Sequence, residues 1–188
     1  MAAILDIIGS FIIGGIVLIM TTKLNFVLSN NSQQASVGLT TQQNCVVLSK
    51  IIENDFSKIG YNVRTGNPFQ TIDSTKIKFY GDIDNNGTMD SVTYYTGPLG
   101  SQPKLLNPRQ QLVYRTWNAK TIAMNLGVTK LRFFYYDSSG TKTTLPARIR
   151  AVKVQMDLES VIPNIDTTYA VVHWEQYINP KVFQYTIN

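Results

Sequence analysis

The chain has 188 residues, of which 44% are hydrophobic and 15% charged, a balance that excludes an intrinsically disordered polymer and leaves room for one domain with or without an appendage. One cysteine (Cys45) excludes an intramolecular disulfide, a multi-thiolate zinc site and a CxxC redox pair, and one histidine (His173) excludes any mechanism or metal site needing two imidazoles. The net charge of +5 arises wholly beyond residue 62, where fourteen bases face nine acids; such a head can meet phosphate or an acidic surface, or simply present scattered bases to water.

From Ala2 to Met20 the chain is apolar apart from Asp6 and Ser10. About 20 helical residues cross the roughly 30 Å hydrocarbon core of a bilayer. Ile7 to Met20 has no polar face, and a helix apolar all round must be buried in lipid or protein. A cleaved secretory signal would carry a positive start and a small-residue cleavage site; no Lys or Arg precedes Lys23, so the segment reads as retained. Packing against copies of itself is the expectation. Gly9, Gly14 and Gly15 allow close backbone approach there, beside Phe11, although glycine is also common in membrane helices. Asp6 is either an intramembrane carboxylate with a partner, such as the terminal amine of a neighbouring chain, or a helix-start residue in the headgroup layer. Lys23 alone would place that end in the cytoplasm, whereas the polar, β-rich remainder argues for a translocated domain.

Residues 29–40 are rich in Asn, Ser and Gln and include Gly38, so the helix is expected to be interrupted there. Helical spacing returns at Cys45, Leu48, Ile52, Phe56 and Ile59, widened by Val47 and Ile51, with Gly60 as the stop. Thr40 to Ile59 therefore reads as an amphipathic helix laid on a sheet, with Cys45 a buried small hydrophobe. Beyond Gly60 the period becomes two. Strands are expected at Lys76–Tyr80, Val92–Tyr95, Leu112–Trp117, Val128–Tyr136, Arg148–Leu158 and Thr168–Tyr177, separated by Gly, Pro and Asn turns. In the fifth of these, Arg150, Val152, Val154, Met156 and Leu158 share one face. The fold class is α+β: a long N-terminal hydrophobic helix on an antiparallel β-sheet, divided into 1–28 (membrane or filament core), 29–62 (polar segment and amphipathic helix) and 63–188 (β-rich head).

One local motif carries chemistry. Asp82-Ile83-Asp84-Asn85-Asn86-Gly87-Thr88-Met89-Asp90 sets oxygen ligands at alternating positions before a turn glycine, a pattern that wraps a hard cation such as Ca²⁺. Asp82, Asp84, Asn86 and Asp90 would supply side-chain oxygens and Thr88 its carbonyl. The bidentate Glu of an EF-hand is absent, since the twelfth position is Thr93. The competing reading is an Asn-Gly turn with acidic decoration.

The apolar helix, the amphipathic helix ending Ile52-Glu53-Asn54-Asp55-Phe56-Ser57-Lys58-Ile59-Gly60-Tyr61, the Asp-rich hairpin, Val128 to Asp137, Ile149 to Val154 and the late Tyr177-Ile178-Asn179-Pro180 together resemble the type IV pilin-like proteins, in particular PilW-like minor pilins and J-type pseudopilins of type II secretion. The resemblance implies a structural subunit whose helices pack in a filament core with the β-domain outside. Its partners would be copies of itself or related pilins, and it would sit in the bacterial inner membrane before assembly and in an extracellular or periplasmic filament after. Pilins carry a cleaved basic leader and a Glu at the fifth mature position. This chain instead has Asp6, which falls at position five if Met1 is removed. The alternative is a membrane-anchored extracytoplasmic module binding a surface, glycan or DNA, with Arg132, Arg148, Arg150 and Lys153 as its patch. No hydrolase, metalloprotease, P-loop or dinucleotide fingerprint is present, and no small-molecule substrate or enzymatic activity is expected.

Overall fold

The first proline of the chain is Pro68, so nothing before it deletes a helical hydrogen bond or clashes with a preceding turn. In the computed structural model, which describes residues 2–64, 66–100, 106–164 and 167–184, one helix α1 (Ala2–Ser57) takes up that whole stretch. The interruption expected near 29–40 is absent. Asn, Ser and Gln each cost only a few tenths of a kcal/mol relative to Ala in a helix, and Gly38 about 1 kcal/mol. Breaking the helix would instead orphan several backbone donors and acceptors at two new ends. The chain divides into two compact units, residues 1–37 and 38–188.

In the first unit, residues 7–20 of α1 are apolar on every side apart from Ser10. Residues 7–28 extend about 33 Å at the helical rise, enough to span a hydrocarbon core. The helix is long and apolar enough to cross a membrane, and none of its most apolar window is buried. Ser10, Thr21 and Thr22 return their hydroxyls to the carbonyls of Asp6, Val17 and Leu18, each at 2.8 Å, so they leave few polar groups unsatisfied.

In the second unit, α1 ends where Lys58 and Ile59 turn their N–H groups to the carbonyls of Asp55 and Phe56. Gly60 follows at φ +78°, a left-handed conformation that favours glycine, and its N–H bonds the Tyr80 carbonyl at 2.9 Å. That bond turns the end of the helix onto the first sheet. This sheet is an up-and-down meander of five antiparallel strands: β1 (Phe69–Ile72), β2 (Lys76–Gly81), β3 (Asp90–Thr96), β4 (Val113–Trp117) and β5 (Lys120–Met124). Three further antiparallel strands, β6 (Val128–Tyr136), β7 (Ala151–Glu159) and β8 (Val171–Ile178), make a second sheet, so the single sheet expected is in fact two.

One core joins the helix to both sheets. Leu48, Ile52 and Phe56 are fully buried, as are Ile77, Phe79, Val92 and Tyr94 of the first sheet and Phe133, Val152, Val154 and Met156 of the second. Phe56 makes the junction, its ring centre 5.1 Å from Phe79, 5.7 Å from Tyr94 and 5.9 Å from Phe133. The alternation along β7 matches the period-two expectation from Val152 onward. Upstream it fails: Ile149 is buried and Arg150 exposed. A single 3₁₀ turn, Pro146–Arg148, precedes them and shifts the phase.

Candidate functional site

The residues expected to act fall in two regions: the aspartate loop between β2 and β3, and the N-terminal face of α1. In the loop, the Asp82, Asp84 and Asp90 carboxylates offer oxygens that all lie within 4.8 Å of one another. Asp82 and Asp90 are almost wholly buried, held there by the ends of β2 and β3, while Asp84 is exposed. Backbone donors converge on them. Asp82 accepts from the N–H groups of Asn86 (3.0 Å) and Gly87 (2.9 Å), and Asp90 from Ile83 N–H (3.0 Å) and Asn118 Nδ2 (2.8 Å). Burial opposes the charged form of Asp90, but the bonds from Asn118 and Ile83 outweigh it and hold the carboxyl below the ordinary carboxylate range. Asn85 (φ 61°) and Gly87 (φ 86°) give the loop its reversal.

The geometry fits a hard cation in part. Oxygens within 4.8 Å can share an ion that takes ligands at about 2.3–2.6 Å. Asn86 is set otherwise: its Nδ2 donates to Asp84 at 2.9 Å, and its Oδ1 accepts from Thr88 N–H at 2.7 Å and from the Thr88 hydroxyl. Asn86 becomes a ligand only if its amide turns over. Lys58, at the end of α1, donates its ammonium to the Ile83 carbonyl, which tethers this loop to the helix.

On α1, Asp6, Ser10 and Gly14 follow at intervals of four and line a shallow concavity with Ile7, Phe11, Gly15 and Leu18. Among the described residues, and apart from the adjacent turns of the helix itself, no atom lies within 4 Å of where a side chain would stand on Gly9, Gly14 or Gly15. Nothing among the described residues therefore requires their small size, and each costs about 1 kcal/mol of helix propensity against Ala. Among the described residues the Asp6 carboxylate has no ion-pair partner. Phe11 is 78% exposed and the aliphatic residues around it are half exposed or more.

Of the basic residues expected to form a patch, Arg132 and Lys153 lie on the adjacent strands β6 and β7, and Arg148 and Arg150 lie in and just after the 3₁₀ turn between them. Lys153 is paired with Glu175 at 2.9 Å, and Arg150 donates to the carbonyls of Ala147 and Ile149 while lying over the Phe183 ring. His173, on β8, bonds Asp157 at 2.5 Å on the outer face of the second sheet.

Sequence reasoning missed a buried polar triad. Asp55 accepts from Arg115 Nε at 2.6 Å and Nη2 at 3.1 Å, and from the Tyr94 hydroxyl at 2.6 Å. The signal was present: Asp55 interrupts the apolar stripe of α1 between Ile52 and Ile59, and Arg115 occupies the inward phase of β4 between Val113 and Trp117. A charge in an apolar stripe calls for a partner.

No protein-family model, curated protein or solved structure matches this chain.

Proposed function

We propose that the protein is a structural, non-catalytic subunit of a pilus-like or pseudopilus filament, with its N-terminal helices packed in the core and the β-rich unit outside. The observation that carries the reading is the apolar segment of α1, exposed on every face, with three glycines that serve no packing among the described residues. Such a helix must lie in lipid or among its own kind, and close-approach glycines favour helix against helix. Transfer from membrane to filament leaves the apolar area buried in both states, so the driving force for burial is retained. A filament also needs a contact that does not close on itself, which a long helix offset along its neighbours supplies. On this reading the protein resides in a bacterial inner membrane before assembly and in an extracellular or periplasmic filament afterwards, with copies of itself or related pilins as partners.

Asp6 takes the place of the pilin glutamate, paired in the assembly with a terminal amine of the next subunit. An isolated carboxylate at membrane depth costs several kcal/mol, and such a pair would relieve it. The aspartate loop, we further propose, holds Ca²⁺ through Asp82, Asp84 and Asp90, with Asn86 and the Thr88 carbonyl completing the shell after the Asn86 amide turns.

Electron microscopy of material sheared from expressing cells tests the filament. Filaments labelled by antibody against this chain are expected, and Asp6→Ala should reduce them at least tenfold while the membrane pool stays constant. Subunits confined to membranes as single copies would leave only a tethered domain, and normal filaments from Asp6→Ala would remove the carboxylate from the account.

A further inference from the structure

The outward face of the five-stranded sheet takes no part in the core or in the proposed filament contacts. Strand register sets Lys76, Tyr95, Tyr114 and Ala123 in one row across β2 to β5. Lys76 Nζ lies 5.8 Å from the centre of the Tyr95 ring, and that ring stacks on Tyr114 with centres 4.9 Å apart and planes 10° from parallel. Tyr95 is thus sandwiched. Among the described residues Tyr114 has a ring on one side only; on the other stands exposed Ala123, whose methyl is too short to cover it. The adjacent row runs from Lys78 through Thr93 and Thr116. The charges on this face have one sign: the single acid of β1 to β5 is Asp90, buried on the inward side.

We propose that this face binds single-stranded nucleic acid, with phosphates at Lys76 and Lys78 and a base stacked on the free face of Tyr114. Two lysines two residues apart on a strand stand about 7 Å from each other, so they favour an extended polyanion over a lone anion. The open aromatic face favours a polyanion that carries flat rings. Basic side chains with stacking platforms bind single strands with little sequence preference. A flat sheet face has no helix or ribbon to enter a duplex groove, which leaves the single strand as the occupant. Threonine hydroxyls beside the lysines add hydrogen bonds to sugar or phosphate. The stacked Tyr95 holds Tyr114 upright before any ligand arrives, which lowers the ordering cost of binding. The inference is independent of the filament reading, because it needs only the head.

The test is fluorescence anisotropy with a labelled 20-nucleotide oligo(dT) and the full chain in an uncharged detergent. Two phosphate contacts predict a slope of about −1.4 in log affinity against log salt, or about a sevenfold loss between 50 and 200 mM. Lys76→Ala/Lys78→Ala should flatten that slope. Tyr114→Ala should weaken binding about tenfold, as for loss of one stacked base, and Tyr114→Phe should bind within twofold of the parent. Circular dichroism and melting of each variant report its folding, and Tyr114→Phe retains the ring in any case. No binding at 50 mM salt, an unchanged slope in the double lysine variant, or equal affinity of Tyr114→Ala would each overturn the proposal. So would an acidic polysaccharide such as alginate displacing the oligonucleotide at equal charge concentration, since that makes the face a plain polyanion site.

Discussion

Asp55 stands where helical spacing would put a hydrophobe, 1% exposed beside fully buried Ile52 and Phe56. It is tolerated because Arg115 grips both carboxylate oxygens and Tyr94 adds a third donor. Removing one member of a buried pair strands the other, a loss of about 3–5 kcal/mol. Arg115→Ala should therefore lower the denaturant midpoint far more than a surface arginine such as Arg132→Ala, whereas Asp55→Leu/Arg115→Met, which removes both charges, should recover most of the loss. The triad also sets an alkaline limit. Burial first, then the charge and hydrogen bond of Asp55, push the Tyr94 hydroxyl well above its ordinary value. Burial raises Tyr135 too, and the pairing of its hydroxyl with that of Tyr177 lifts Tyr136 to about 12. In the unfolded chain these phenols ionise near pH 10, while in the folded chain they stay protonated. Their contribution to stability is complete below pH 10 and is lost as pH rises towards the folded values. Melting temperature should fall steadily from pH 9.5 upward, and Tyr94→Phe should make the fall shallower without abolishing it, because Tyr135 and Tyr136 remain. A melting curve independent of pH in that range would contradict the assignment.

At the scale of elements, the loop between β2 and β3 separates two readings by one measurement. A bound ion present at about 100 times its dissociation constant stabilises by about 2.7 kcal/mol, or about 5–10 °C for a head of this size. Millimolar calcium against chelator should show that shift, and Asp84→Ala should erase it. Asp84 is the informative position: it is exposed and its carboxylate bonds only Asn86, so its loss leaves the fold intact. Asp90→Ala would also cut the bonds to Ile83 and Asn118 and confuse the two effects. No shift would leave a turn closed by its own hydrogen bonds. Elements with strong periodicity were legible from sequence: the stripe Cys45, Leu48, Ile52, Phe56 and Ile59 is buried, β6 lies where alternation placed it, and β7 follows the expected alternation from Val152 onward. β1 and β5 were not legible. β1 has four residues, and β5 is an edge strand exposed along most of its length, so neither has an alternation to read. No break forms at 29–40, because polar composition alone does not end a helix and the helix there has no breaker other than Gly38.

For the whole molecule, the described residues place every member of the core at Cys45 or later, with Thr41 the first buried side chain of α1. The residues before Gly38 form their own unit and bury none of that apolar surface. Stability and assembly should therefore come apart. A chain beginning at Gly38 keeps every described core residue, the Asp55 triad, the aspartate loop and both sheets. It should melt within a few degrees of the full protein and remain monomeric in water without detergent, because the exposed Ile, Leu and Phe side chains of residues 4–28 are gone. Light scattering with calorimetry on the two chains makes the comparison. In the reverse experiment, Phe56→Ala removes the ring that joins the helix to both sheets and should cost about 3–5 kcal/mol, while the apolar segment continues to insert into bilayers. Should the shortened chain unfold, residues 1–37 would belong to the head, and a helix free to pack with its copies would lose its physical basis.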